Sequence, residues 1–415
     1  MISLKGKILL TIVWFSVQIS NGQLIPIPEL EKKYTFVKED LNVISNNNEL
    51  NSLMEKLYQL KSCDTGVINI LHIGDSHLQA DFASSVIRTT LQKSFGNGGR
   101  GLVVPFRVAK TNEPFNYTSS SSYLWQSKRC VFPNQPLPIG IGGVTISTDD
   151  SCADFTLKIK DDTLPNYGFN KMRLFYQKDS ASYNLDLLDS LGTPVGISVP
   201  DSTENYPYIL TTTFPSTIHC ITVRARKSNE QQSKATIYGI HLENGSSGII
   251  YNTVGVNGAE FEHYSIADHF TEQSKALKPD LIIFSLGTNE AFSANFTQTQ
   301  FYSDIEVLFG QLKCENPDAE FLITTPACSF RRRKPNPRLP LAAKSIIQFA
   351  TDNKIAYWDM QGATGGKNSA NYWKQNHMLR RDGVHFSRVG YVLQGDLFCQ
   401  AILNAYNSYV TNRIK

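Results

Sequence analysis

The chain has 415 residues, a net charge of +3 and a charged fraction of 19%, a balance that points away from nucleic-acid binding and from an acidic tail. Its 41% hydrophobic and 11% aromatic content is ordinary for a globular protein, long enough for more than one domain and leaning toward β-structure. The seven cysteines (Cys63, Cys130, Cys152, Cys220, Cys314, Cys328 and Cys399) form no CxxC pair. That spacing argues against a zinc site or a thioredoxin-like motif, and the odd count leaves at least one thiol without a disulfide partner.

The first element in chain order is a leader. "MISLKGK" carries two lysines, "ILLTIVWFSV" is an apolar run of ten, and the small-residue stretch "QISNGQ" follows. This is the layout of a secretory signal peptide, residues 1–22, too short to span a bilayer comfortably as a permanent helix. The expectation is a secreted or periplasmic protein with no stable membrane span after cleavage.

Residues 24–66 are polar around one helical segment, "NELNSLMEKLYQLK". Residues 67–95 then read as an apolar strand, a sharp turn at Gly74-Asp75-Ser76 and a helix, "DFASSVIRTTLQKSF". "GNGGRG" breaks that helix, and from about 107 to 245 the text becomes short alternating strands such as "ADFTLKIK", "KMRLFYQ" and "HCITVRAR". Regular short strands with turn signals imply a β-sandwich or jelly roll. From about 246 the α/β alternation returns, with strands "DLIIFSLG", "AEFLITTP" and "AYWDM" and a terminal helix from 387. Strands alternating with helices imply a parallel sheet covered on both faces. The expected organisation is an α/β domain in two parts, residues 23–106 and 246–415, interrupted by a β-sandwich at 107–245.

In an open parallel sheet, chemistry gathers at the carboxyl ends of the strands. There the sequence places Ser76, the glycines Gly255 and Gly258, the segment Gly287-Thr288-Asn289-Glu290, and Asp382 with His385. A serine hydroxyl needs a base, the base needs an orienting acid, and a developing oxyanion needs fixed donors. Ser76, His385 and Asp382 can fill the first three roles; the N–H of Ser76, the N–H of Gly258 and the side chain of Asn289 can fill the last. Read alone, Ser76 is more often a helix N-cap than a nucleophile and Asn289 a turn residue, and Gly255 competes with Gly258. Asp75, directly before a helix, reads as a structural acceptor of backbone N–H groups. His77 carries no assigned role.

The set GDS, "GVNGA", GTNE and D-x-x-H resembles the sequence blocks of the SGNH/GDSL hydrolase superfamily, mapping onto Ser76, Gly258, Asn289, Asp382 and His385. The resemblance implies a flavodoxin-like three-layer α/β domain and ester hydrolysis with no metal and no cofactor. Two departures, His77 in place of Leu and 258 − 76 = 182 residues between the first two blocks, resemble the peptidoglycan O-acetylesterase branch, whose β-sandwich insert is similar to a carbohydrate-binding module. The activity implied is removal of O-acetyl groups from a polysaccharide, peptidoglycan first and plant or host glycans second. Acetyl transfer by the same acyl-enzyme and silent glycan binding are the alternatives.

Several other features read as bland. "GATGGKNS" lacks the strand and spacing of a phosphate loop, "TDDSCAD" and "KDDT" do not match a calcium-loop spacing, and "RRRKPNPR" (331–338) reads as a solvated basic loop that could meet an anionic glycan. Trp125, Tyr123, Tyr167, Tyr176 and Tyr183 read mainly as core or strand-face aromatics.

Overall fold

A computed structural model describes residues 23–30, 34–132, 134, 137–160, 165–198 and 209–414. The leader, 1–22, lies outside the described residues. Among the described residues no helix is long and apolar enough to cross a membrane.

The apolar runs become a parallel sheet because both of their faces are covered, so alternate residues need not be polar. Its central strands are β1 (Val67–Gly74), β2 (Gly248–Gly255), β3 (Leu281–Ser285), β4 (Glu320–Thr324) and β5 (Ala356–Trp358), in the spatial order β2-β1-β3-β4-β5. All four pairings along that path are parallel. Short strands Asn97–Gly99 and Ile44–Ser45 close the two edges, the latter antiparallel. The order 2-1-3-4-5 is the flavodoxin-like one, and its switch point lies between β1 and β3.

Successive side chains of each strand enter opposite layers. Leu281 and Ile283 face a core shared with helices Asn51–Cys63, α2 (Phe82–Phe95) and α3 (Arg388–Ile414); α1 is the short helix Ser76–Gln79 that precedes α2. Ile282 and Phe284 face the other layer, built on Phe261, Phe301, Leu308 and Ile346. His72 breaks the apolar run of β1 without cost in unpaired groups. Its ring nitrogens lie 2.7 Å from Tyr251 Oη and 2.6 Å from Ser285 Oγ. Burial lowers its pKa to about 3, so it is neutral at physiological pH.

The strands named in the insert's two sheets pair antiparallel. One sheet runs Pro194–Ser198, Asn184–Leu188, Cys220–Arg226, Asp154–Ile159 and Tyr117–Ser120; the other runs Ile209–Ile218, Phe169–Tyr176, Ala235–Glu243, Val144–Thr148 and Gln126–Arg129. Gly101–Val103 also pairs with Ala235–Glu243, so the second sheet recruits chain from before residue 107. Strands at Asn184–Leu188 and Pro194–Ser198 escape the sequence pattern because turn residues crowd them. Trp125, Tyr167, Tyr176 and Tyr183 are buried in the sandwich, and only Tyr123 of that group is exposed.

The insert is docked rather than tethered. Its core is continuous with one layer of the α/β domain, and Gln273 and Ala276 accept hydrogen bonds from Ile141 N and Arg173 Nη1. A buried charge cluster adds a second tie: Asp81, just after α1, meets Arg88 of α2 and Arg100 and Asn116 at the start of the insert. Burial alone would raise the Asp81 carboxyl, but the two guanidinium groups outweigh it and hold it low. One carboxylate serves two guanidinium groups here, so removing Asp81 would leave both buried charges without a partner, which is costly. No disulfide contributes; all seven cysteines are free.

Candidate active site

Strand β1 ends at Gly74, and Asp75 caps α1: its Oδ1 accepts the N–H of His77 at 2.9 Å. Asp75, not Ser76, is therefore the N-cap. Ser76 is the first residue of α1, where the N–H has no intrahelical acceptor. Its hydroxyl faces an open cleft of about 580 Å³ together with Gly258, Asn289, His385, Arg380 and Tyr391. Residues from three distant stretches thus converge at the carboxyl ends of β1, β2 and β3, beside the topological switch point.

The imidazole of His385 sits between two oxygens. Its Nε2 is 2.9 Å from Ser76 Oγ, and its Nδ1 is 3.0 Å from Asp382 Oδ2. The other carboxylate oxygen, Oδ1, accepts the N–H groups of Val384 and His385 at 2.8 and 2.9 Å. Burial pushes the Asp382 carboxyl up, but these two N–H groups and the His385 ring outweigh it and hold the carboxyl below its usual range. An ionised Asp382 fixes the tautomer of His385 with the proton on Nδ1 and leaves Nε2 to accept from the serine hydroxyl.

The two candidate glycines separate cleanly. A Cβ on Gly255 would fall 2.5 Å from Gln79 N and 2.8 Å from Asp75 O, so this residue lets β2 pack against the serine turn. Gly258 lines the cleft instead, with φ +84° and no atom nearer than 3.9 Å to a built Cβ. What demands glycine there is backbone conformation, not space.

The loop carrying Gly258 is held at three points. Gln79 Oε1 accepts Asn257 N at 2.7 Å, Asn289 Nδ2 donates to Ala259 O at 2.9 Å, and Glu290 Oε1 accepts Phe261 N at 3.0 Å. Asn289 Nδ2 also lies 3.4 Å from Asp75 Oδ2. Gln79 and Glu290 are residues that motif reading passed over. The signal for Glu290 was its place in GTNE; for Gln79 there was only its position on the turn after Ser76. Burial raises the Glu290 carboxyl to about 8, making it a neutral acid at pH 7.

His77 is buried beside the His385 imidazole, their ring centroids 5.5 Å apart. Its Nδ1 lies 3.0 Å from Tyr391 Oη, and burial lowers its pKa despite Asp75 nearby. The ring packs and holds Tyr391 on the cleft wall. The insert also reaches the site: Asn112, Glu113 and Phe115 line the same cleft.

Residues 228–393 match the model of the GDSL-like lipase/acylhydrolase family. That interval spans β2 to the start of α3 but omits Ser76, which the insert separates from the rest of the matched domain. A structure of a peptidoglycan O-acetylesterase superposes with a TM-score of 0.70 at 24% identity, covering 90% of this chain and 98% of that one. Other similar structures are a lipase/acylhydrolase from Enterococcus faecalis (22% identity, 38% of this chain, 77% of that one, TM-score 0.30) and an acetylxylan esterase from Geobacillus stearothermophilus (17%, 38%, 73%, TM-score 0.31). A comparison with curated proteins finds no match. The chain thus carries a match to the GDSL-like lipase/acylhydrolase family over residues 228–393 and shares the fold of a peptidoglycan O-acetylesterase, its α/β domain interrupted by a β-sandwich.

Proposed function

We propose that this protein is an exported serine esterase that removes O-acetyl groups from peptidoglycan. The observation that carries the reading is the continuous hydrogen-bonded line from Ser76 Oγ through the His385 ring to Asp382. The likeness in fold to a peptidoglycan O-acetylesterase supports the substrate class, and the leader read at 1–22 supports export to where that polymer lies.

In this mechanism Ser76 Oγ attacks the acetyl carbonyl while His385 Nε2 takes its proton. Asp382 stabilises the resulting imidazolium. The oxyanion is received by the N–H of Ser76, the N–H of Gly258 and the amide of Asn289, donors held in place before substrate arrives. Collapse of the intermediate breaks the ester C–O bond, and His385 returns the proton to the sugar oxygen. Water, deprotonated by the same imidazole, then releases acetate and regenerates the serine.

The test is acetate release from O-acetylated peptidoglycan and, in parallel, from acetylated xylan, comparing the parent with Ser76→Ala. Serine-dependent release from peptidoglycan supports the reading. Release from xylan alone keeps the chemistry and overturns the substrate. A Ser76→Ala protein that retained its rate would overturn the nucleophile.

A further inference from the structure

We propose that a second, basic cleft beside the one holding Ser76 binds carboxylates carried by the acetylated glycan. The inference rests on the acetylated-glycan reading above and names the chemistry that selects among such glycans.

The second cleft has a volume of about 610 Å³, the size of a site for a sugar with a short substituent. Arg332, Arg333, Lys374, Arg380 and Arg381 line it, against the single carboxylate of Asp382. Arg380 lines both this cleft and the one holding Ser76, so the two are neighbours that share a wall. Asp382, one carboxylate against five cations, leaves the cleft with a positive excess. None of the five cations forms an ion pair among the described residues. Like charges crowded into a concave surface without counterions repel one another and focus a positive field outward, which a bound anion relieves.

The arrangement is built as one unit with the catalytic loop. The basic hairpin, Phe330–Arg331 paired with Lys334–Pro335, is bonded to that loop through Phe330 N to Gly383 O at 2.7 Å. Arg380 N in turn donates to His385 O at 2.8 Å. At the hairpin tip Arg332 and Arg333 both have positive φ, 51° and 64°. Two left-handed positions in a tight hairpin favour Asn-Gly, and arginine there costs conformational energy that its charge must justify. Lys374 Nζ stands 5.0 Å over the Phe330 ring, which holds the ammonium at the cleft wall.

With a net charge of only +3 on the whole chain, this is a local feature and not a generally basic surface. Because it adjoins the cleft holding Ser76 through Arg380, the anion it favours is one borne by the molecule whose ester is cleaved. Arginine forks match carboxylates, and peptidoglycan carries them on its peptide stems whereas acetylated xylan backbones are neutral.

The experiment compares acetate release from O-acetylated peptidoglycan with release from the same material after its carboxylates are converted to carboxamides. Parent and the Arg332→Gln/Arg333→Gln/Arg381→Gln variant are used as full-length protein, with active enzyme counted by fluorophosphonate titration. The expected result is that the parent prefers the anionic form by roughly tenfold in kcat/KM, mostly through KM, and that the variant loses the preference. Raising salt to about 0.5 M should erode it in the parent alone. A parent indifferent to amidation, or a variant that keeps the preference, overturns the proposal. If the parent releases no acetate from peptidoglycan, the same comparison is run on O-acetylated polygalacturonate and its carboxamide. An arginine-dependent preference there supports the cleft while the peptidoglycan reading falls; its absence overturns the cleft as well.

Discussion

Replacing Glu290 by Gln tests how the loop after β3 holds the Gly258 loop in place. Glu290 is 5% exposed, its Oε1 accepts the N–H of Phe261, and its Oε2 has no partner. Burial raises the carboxyl from 4.5 to about 8. Between those pH values the folded protein keeps a proton that the unfolded chain has lost, so the linkage is unfavourable to folding as pH rises. The stability this group contributes is fully present below pH 4.5 and is lost as pH climbs through 8. The whole loss is 8 − 4.5 = 3.5 pH units at about 1.36 kcal/mol each, or about 5 kcal/mol. Glutamine has nearly the same shape, keeps the acceptor for Phe261 N–H and has no proton to lose. Urea unfolding at pH 6 and pH 9 reads the difference. Parent and Glu290→Gln should agree to within about 1 kcal/mol at pH 6 once the earlier part of the titration is subtracted. Between the two pH values the parent should lose roughly 3 kcal/mol more than the variant. Two pH profiles that run parallel would refute the reasoning, since the carboxyl would then not titrate in the buried state described.

Three further outcomes follow from the same geometry. Asp382→Asn removes the charge that, in the proposed mechanism, supports the imidazolium, and should lower kcat on a generic acetyl ester by roughly 10²- to 10⁴-fold with little change in KM, measured by initial rates. Asn289→Ala withdraws the proposed oxyanion donor and the bond to Ala259 O, and should lower kcat by roughly 10²-fold or more in the same assay. Gly255→Ala drives a methyl into the backbone at Gln79 and Asp75 and should cost about 1–3 kcal/mol in thermal or urea unfolding; a variant as stable as the parent would contradict that packing.

Much of the architecture could be read from residue patterns because it depends on local physics. The apolar runs "VINILHI" and "DLIIFSLG" are β1 and β3, and "HCITVRAR" alternates as a half-buried strand must. Glycine, aspartate and serine at the end of β1, and D-x-x-H before α3, carry their chemistry in their own order. The reading of Ser76, Asn289, Asp382 and His385 as one set came from motif resemblance, since nothing local ties residue 76 to residue 385. Only the folded chain places His385 Nε2 2.9 Å from Ser76 Oγ, through a sheet order that brings β1 between β2 and β3. Tertiary structure likewise separated Gly255, the last residue of β2, from Gly258 in the loop beyond it, because what each backbone packs against is set by distant chain. It gave Glu290 its proton, since a pKa depends on burial that no local pattern reports. And it turned "RRRKPNPR", an unremarkable basic loop when read along the chain, into the wall of a cleft by setting it against Lys374, Arg380 and Arg381. Periodicity and turn chemistry act over a few residues and are written in the sequence, whereas juxtaposition, burial and field arise from contacts between residues far apart along it.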